Sequence, residues 1–362
     1  MELVFWLSIG LVVYVYAGYP VVLGIWAWIA GRLRPDELGI ERRSRDSLPP
    51  VSVIIAARNE ASRLRGRIDN LLTSDYPRNR IQIIVASDGS TDDTTDVLSP
   101  YAGCVELIML PPGGKARALN AAVSRARHPI LVFADARQRF APDTIDRLVR
   151  HFTRLSVGAV SGELVLDCEG GDSTSTVSAG VGAYWKYEKW LRRREAIVGS
   201  TLGVTGAVYA MRRALWQPLP DGTILDDVLG PLRMVLRGYR VVFDATALAF
   251  DQAAHDVATE TRRKVRTLAG NFQLLALEPR LLVPGVNPVW LQFVSHKVGR
   301  LAVPYALLAV FASSAWLAWS DWPYTVAFLG QLVFYGLAMY GAVLDRRSRG
   351  TAPLTEVERE AA

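Results

Sequence analysis

The sequence predicts an α/β domain built on a mostly parallel sheet flanked by helices, with one N-terminal and two C-terminal transmembrane helices. Two observations carry this prediction. Through the middle of the chain β-branched apolar runs alternate with helical patterns, and the apolar excess lies at the two ends. Of the 362 residues 50% are hydrophobic, the mean hydropathy is +0.17 and the formal net charge is +6. Such a composition excludes a disordered chain. Cys104 and Cys168 are too few for a disulfide framework or a metal cluster and read as buried thiols of a reducing compartment.

No charged side chain interrupts residues 3–30, a run long enough to cross about 30 Å of hydrocarbon. A cleaved signal peptide is the alternative, but only Glu2 precedes the run and no basic leader exists. Residues 301–320 and 322–344 are also free of charge and are separated by Asp321, which predicts a membrane hairpin. Trp316, Trp319, Trp322 and Tyr324 fall at its turn, where amphipathic rings favour the headgroup level. Arg32, Arg34, Arg42, Arg43 and Arg45 follow the first span, and Arg346, Arg347 and Arg349 follow the last. This bias places both flanks in the cytoplasm and the N-terminus outside the inner (plasma) membrane. Contact with anionic lipid then accounts for the positive charge, and no nucleic-acid partner is expected.

Between the spans, residues 51–57 (VSVIIAA) predict a buried parallel strand, and Asn59 is a candidate cap for the helix after it. Residues 81–86 form a second strand running into Ser87-Asp88-Gly89-Ser90, with a helix opening near residues 91–94. A third strand at 104–110, a helix at 115–126 and a fourth strand at 130–134 ending on Asp135 follow. Asp88 and Asp135 thus stand just past the carboxyl ends of strands, where ligands bind in open α/β sheets. Beyond residue 160 the pattern is mixed: a short strand before Asp167, a Gly-rich stretch at 170–182, a helix around 184–197 and a strand at 241–243. Leu281, Trp290 and Phe293, with Lys297 and Arg300 nearby, suggest an interfacial amphipathic segment. The resulting division is a transmembrane helix (1–30), a basic linker (31–48), the α/β domain (49–275), the interfacial segment (276–300), the hairpin (301–344) and a cytoplasmic tail (345–362).

Several chemistries are disfavoured by missing patterns. No GxGxxG follows the first strand, and Gly113-Gly114-Lys115-Ala116 lacks the rest of a Walker A loop. The four histidines carry no HExxH pair, and no GxSxG elbow is present. Carboxylates are left as the candidate chemistry. VSVIIAARNEA at 51–61, SDGSTDDT at 87–94, GGKARALN at 113–120, VFADARQRF at 132–140, GVTGAVYAMRR at 203–213 and LDD at 225–227 occur in one order. In that order they resemble the inverting family 2 glycosyltransferases of GT-A fold, in the membrane-anchored branch with cellulose, chitin and hyaluronan synthases.

The resemblance implies roles for particular residues. Asp88 would contact the nucleoside, bordered by Ala57, Arg58 and Glu60; a turn cap before Gly89 is the plain alternative. Lys115 would face the diphosphate, against the alternative of a solvated helix-start lysine. Asp135 would hold Mg2+ or Mn2+ against the phosphates. The family's DxD is broken here, because Arg137 stands where its second acid would be. Asp227 would be the catalytic base with Asp226 in reserve, or the two acids would only cap a helix. Gly206, Tyr209 and Trp185 would line the acceptor side. The QxxRW element maps onto Arg263-Lys264-Val265-Arg266-Thr267; Arg263, Lys264 and Arg266 would clamp the diphosphate, while Thr267 in place of Trp weakens the case for a long-chain synthase. The expected function is transfer of a sugar from a nucleotide-sugar, UDP-linked by expectation, to a hydroxyl of a polysaccharide or lipid-linked saccharide. A polyprenyl-phosphate monosaccharide transferase and a catalytically weak scaffold subunit are the alternatives. Two spans after the domain are too few to enclose a pore, so coupled secretion would need export or polymerisation subunits.

Overall fold

The computed structural model describes residues 1–33, 48–167, 176–252 and 257–350. Its central element is an eight-stranded mixed sheet of order β3-β2-β1-β4-β7-β6-β8-β5. The strands are β1 (Val51–Ala57), β2 (Ile81–Asp88), β3 (Val105–Leu110), β4 (Ile130–Ala134), β5 (Arg139–Phe140), β6 (Val157–Asp167), β7 (Val208–Arg212) and β8 (Arg240–Gln252). Strands β3, β2, β1 and β4 run parallel, and β7 enters antiparallel between β4 and β6. Because β2 and β3 lie on one side of β1 and β4 on the other, the chain reverses direction of travel at β1. A crevice for ligand opens at that point, beyond the carboxyl ends.

Alternation of side chains decides how the sheet is covered. Val53, Ile55 and Ala57 join one core with Leu64, Ile68 and Leu71 of helix α2 (Ala61–Leu72), while Ile54 joins the opposite core. That second core contains Ala118, Leu119 and Ala122 of helix α4 (Lys115–Arg125) and Val228, Leu229 and Leu232 of helix α7 (Asp226–Val235). A strand buried on both faces needs the uninterrupted apolar run seen in the sequence. Each fully buried Ile or Leu contributes about 1.5–3 kcal/mol of burial. Three further helices complete the domain in the order of the chain: α3 (Thr94–Leu98) after β2, α5 (Thr144–Arg150) before β6 and α6 (Thr176–Val198) after it. Helix α8 (Val257–Leu277) follows β8.

Three helical stretches are long and apolar enough to cross a membrane: α1 (Glu2–Leu33), α9 (Trp290–Leu317) and the Trp322–Gly341 part of α10 (Trp322–Gly350). The protein is a multi-pass membrane protein. Two compact units result, one formed by residues 1–19 and 299–362 and the other by residues 20–298. Within the first, Phe5, Val310, Leu317 and Tyr324 form a small core, and the Phe5 and Tyr324 rings meet edge-on at 4.9 Å.

Several details differ from the sequence reading. Tyr324 is 6% exposed and packs against Phe5, whereas Trp316, Trp319 and Trp322 are exposed. Cys104 is exposed at the head of β3, so it is not a buried thiol; Cys168 lies outside the described residues, as do Arg34, Arg42, Arg43, Arg45 and the Gly-rich residues 170–175. The side chains of Arg346, Arg347 and Arg349 also lie outside them. The helix expected to begin near residue 301 begins at Trp290, because Lys297 and Arg300 interrupt the apolar run without breaking the backbone, which passes through a π-helical turn at Phe293–Val298. Asn59 does not cap α2. It adopts φ 53° and its Oδ1 accepts from the Thr91 N–H at 2.9 Å, while Asp92 Oδ2 accepts the Ala61 N–H at 2.8 Å. The loops after β1 and β2 are thereby stitched together.

Candidate functional site

The loop after β2 sets the first side of the site. Asp88 ends the strand, and its Oδ1 accepts the N–H groups of Gly113 and Gly114 at 2.7 and 2.9 Å. Gly89 turns the chain at φ +64° directly under Pro112, where a Cβ would lie 2.4 Å from the ring. Only glycine fits both conditions. Asp88 therefore ties down the start of α4 and with it Lys115, the first residue of that helix. Arg58 remains exposed, with Nη1 4.0 Å from Asp88 Oδ2. Ala57 is buried at the end of β1, and the Glu60 carboxylate turns to Arg63 at 2.6 Å.

From α4 the Lys115 ammonium reaches two carboxylates, Asp135 Oδ1 at 3.5 Å and Asp226 Oδ2 at 3.3 Å. Burial disfavours its charge, but Asp226, Asp135 and Asp227 together more than offset this and raise its pKa above the ordinary lysine range. Lys115, Asp135, Gly206, Tyr209 and Asp226 line one small pocket. Asp227 adjoins it through the loop before β7: the Asp227 carbonyl accepts the Val204 N–H at 2.9 Å, and a Cβ on Gly206 would lie 3.3 Å from Asp227 Oδ2. The half-buried Asp227 carboxyl is pushed up to about 6, first by burial and then by Asp226, against the opposing pull of Lys115, Lys297 and Arg192. A carboxylate so poised takes up a proton readily near neutral pH.

The remaining expected residues are distributed less evenly. Tyr209 does not present a face for sugar packing: it is 2% exposed and its ring stacks on Phe133 at 4.4 Å and 5°. Its phenol is held well above the usual range, first by burial and then by Asp226, Asp227 and Asp135. Arg266 on α8 is exposed and donates from Nη2 to the Ile224 carbonyl at 3.5 Å, two residues before Asp226. Arg263 and Lys264 are exposed on the same helix. Trp185 lies on α6, its side chain outside the described residues. Arg137 pairs with Asp251 of β8 at 2.6 Å. Sequence reasoning passed over Asp251 and Arg192, and took Lys297 only as part of an interfacial segment, although it stands as a charge within a long apolar helix.

Residues 52–217 match the model of glycosyl transferase family 2. Over those residues the chain is similar to this family. It is 31% identical over 166 residues to a beta-monoglucosyldiacylglycerol synthase of Nostoc sp., a match covering 44% of this chain and 34% of that one. A probable glycosyltransferase of Bacillus subtilis is 24% identical over 255 residues, covering 64% and 57%. An N-acetylglucosaminyltransferase of Rhizobium sp. is 25% identical over 296 residues, covering 77% and 65%. The chain thus spans between about a third and just under two thirds of these relatives. A mannosyltransferase from Pyrobaculum calidifontis, solved with GDP-Man and Mn2+, superposes with a TM-score of 0.68 at 24% identity over 93% of this chain and 92% of that one. The shared fold is GT-A.

Among the described residues no group of three or more His, Cys, Asp and Glu is arranged to hold a metal. Asp135 still fits a divalent cation, because a hard ion such as Mg2+ is commonly held by one or two carboxylates and completed by water and substrate phosphates. Its side chain is 38% exposed and faces Lys115, so the carboxylate is reachable. Asp251, the nearest acid to Arg137, already accepts from Arg137 and Gln138.

Proposed function

We propose that this protein is an inverting glycosyltransferase that moves a sugar from a nucleotide-sugar, UDP-linked by expectation, to a hydroxyl of a saccharide or lipid-linked acceptor at the cytoplasmic face of the membrane. The observation that carries the reading is the raised Asp227 carboxyl beside the cluster of Lys115, Asp135 and Asp226. Asp227 takes the proton of the acceptor hydroxyl as that oxygen attacks the anomeric carbon. The bond from carbon to the diphosphate oxygen breaks on the opposite face, which inverts the centre. Lys115 meets the negative charge gathering on the departing nucleoside diphosphate. Asp135 would hold the divalent cation, which when bound shares in neutralising the diphosphate. Asp88 supports the geometry by fixing the Gly113-Gly114 turn ahead of Lys115, and Arg58, exposed at the rim 4.0 Å from Asp88, contacts the nucleoside.

The test is a donor panel of UDP- and GDP-sugars in lipid nanodiscs, with products read by mass spectrometry. D227N should abolish transfer while UDP still binds, and turnover at the normal rate in that variant would overturn the assignment. D135N should weaken Mn2+-supported nucleotide binding; an unchanged metal dependence counts against Asp135 as the ligand.

A further inference from the structure

We infer that the acceptor carries a phosphate group beside the hydroxyl that is glycosylated, and that Arg192 and Lys297 hold this phosphate. The inference rests on Asp227 as the base and names the acceptor class for that site. Two elements other than the donor-side helix α4 bring positive charge to Asp227. Arg192 on α6 donates from Nη1 to Thr205 Oγ1 at 3.1 Å, and Thr205 precedes Gly206, the residue packed against the Asp227 carboxylate. Thr205 is itself anchored, since its N–H donates to Ser161 Oγ at 2.9 Å and its hydroxyl to the Gly162 carbonyl at 2.9 Å. The guanidinium is therefore fixed within one residue of the glycine facing the base.

Lys297 is fixed from the other element. His296 Nδ1 lies 2.7 Å from Glu195 Oε1 and its Nε2 lies 3.5 Å from Glu188 Oε2, both glutamates being on α6. His296 and Glu195 are buried at 6% and 1% exposure. These contacts pin the π-helical turn Phe293–Val298 against α6, and the next side chain is Lys297. Lys297 is half-buried, and among the described residues it has no carboxylate within ion-pair distance. Yet it acts on Asp227 together with Arg192. A lysine without an ion pair at the start of a membrane-spanning helix is costly unless it meets a substrate. Two cations held near one carboxylate suit a tetrahedral anion, with Arg supplying a fork of donors and Lys a point charge. Asp227, Glu188 and Glu195 also act on Lys297, but none lies within ion-pair distance of it, so a phosphate would be the anion in direct contact with the two cations.

Because Lys297 belongs to the candidate span Trp290–Leu317, the phosphate that reaches it most directly is that of a lipid. The probes are polyprenyl diphosphate N-acetylglucosamine, the neutral octyl glycoside of the same sugar, and inorganic phosphate, each given to the full chain in nanodiscs. K297M and R192Q should each lower the preference for the phosphate-bearing acceptor over the neutral one by about tenfold or more, through the acceptor KM, with K297R closer to wild type. Equal losses on both acceptors, or a change carried by the donor KM, would overturn the inference. Competition by inorganic phosphate against the acceptor would assign recognition to the phosphate alone, and its absence to the lipid phosphate as a whole. Binding of polyprenyl monophosphate, read by native mass spectrometry without turnover, should weaken in K297M and stay in K297R; retention in both overturns the inference. Lack of turnover with every donor and acceptor, alongside intact lipid-phosphate binding, would instead remove the transferase reading and leave the phosphate site standing.

Discussion

Replacing Asp227 with asparagine should stabilise the protein at neutral pH while removing its activity. The Asp227 carboxyl titrates near 6 in the fold against an ordinary value of 3.8. That difference corresponds to about 3 kcal/mol withheld from the charged form at neutral pH. Water reaches the half-buried group, so a figure of about 1–2 kcal/mol is the one to expect after screening. Between pH 4 and 6 the native carboxyl binds a proton that the unfolded chain has released, so stability falls as pH rises through this window and the penalty is complete above it. Asparagine carries no charge and escapes the penalty. Thermal unfolding of the two proteins in the same detergent should coincide near pH 4 and diverge by about 2–6 °C at pH 7, with D227N the higher. Transfer should fall by about 10²- to 10⁴-fold in D227N. In the wild type kcat should lose about tenfold for each pH unit below 6. A variant less stable than wild type at pH 7, or a gain that persists unchanged at pH 4, would refute the reasoning that the fold holds this carboxylate at a cost.

Other consequences follow from single contacts. Gly206→Ala puts a methyl 3.3 Å from Asp227 Oδ2 and should lower kcat by about tenfold with UDP affinity kept; normal kcat would show that the carboxylate has room to move. Asp88→Ala strips the acceptor from the Gly113 and Gly114 N–H groups and should cost about 1–3 kcal/mol and raise the donor KM, with Asp88→Asn intermediate because one oxygen remains. Ile84→Ala opens a cavity in a position with 0% exposure and should cost about 2–5 kcal/mol in a denaturant titration, leaving nucleotide contacts untouched.

The parallel half of the sheet was legible because its strands are buried on both faces, a condition that writes itself into runs such as VSVIIAA at Val51–Ala57. The second strand extends to Asp88, beyond the apolar run, because Ser87 and Asp88 pair with Met109 and Leu110 in register with β3. Such partners are invisible in a local window. The other half was harder to read for the same reason: β8, which pairs parallel with β6, runs to 13 residues and β6 to 11, yet Ser161, Gly162, Asp244 and Asp251 break their apolar patterns. Distant partners bear on the two acids, as His151 lies 2.9 Å from Asp244 and Arg137 2.6 Å from Asp251. At the site, Asp135 and Lys115 could be singled out by position and chemistry, whereas the bond from Asp88 to the Gly113 and Gly114 amides depends on the loop returning over the strand end. Tyr209 shows the limit from the other direction, since an aromatic near carboxylates reads equally well as a sugar platform or as core until its stacking on Phe133 is seen.

Arg137 is the residue at which pattern alone misleads, because a cation where an acid is expected suggests a damaged metal site. In the fold its guanidinium lies 2.6 Å from Asp251 Oδ2, a carboxylate whose side chain is 2% exposed and which also accepts from Gln138 Nε2 at 2.9 Å. The substitution therefore adds no unbalanced charge to the loop after β4, and Asp135 keeps Lys115 as its cation. Two charges that compensate one another should be cheaper to lose together than singly. R137A leaves a buried carboxylate with a single amide donor and should destabilise by about 2–3 kcal/mol, below the full cost of breaking a buried pair because Arg137 is 39% exposed. The double variant R137A/D251N should recover most of that loss, a coupling readable in a denaturant double-mutant cycle. If the two losses simply add, the pair is incidental, and the acid missing beside Asp135 has no compensating partner in β8.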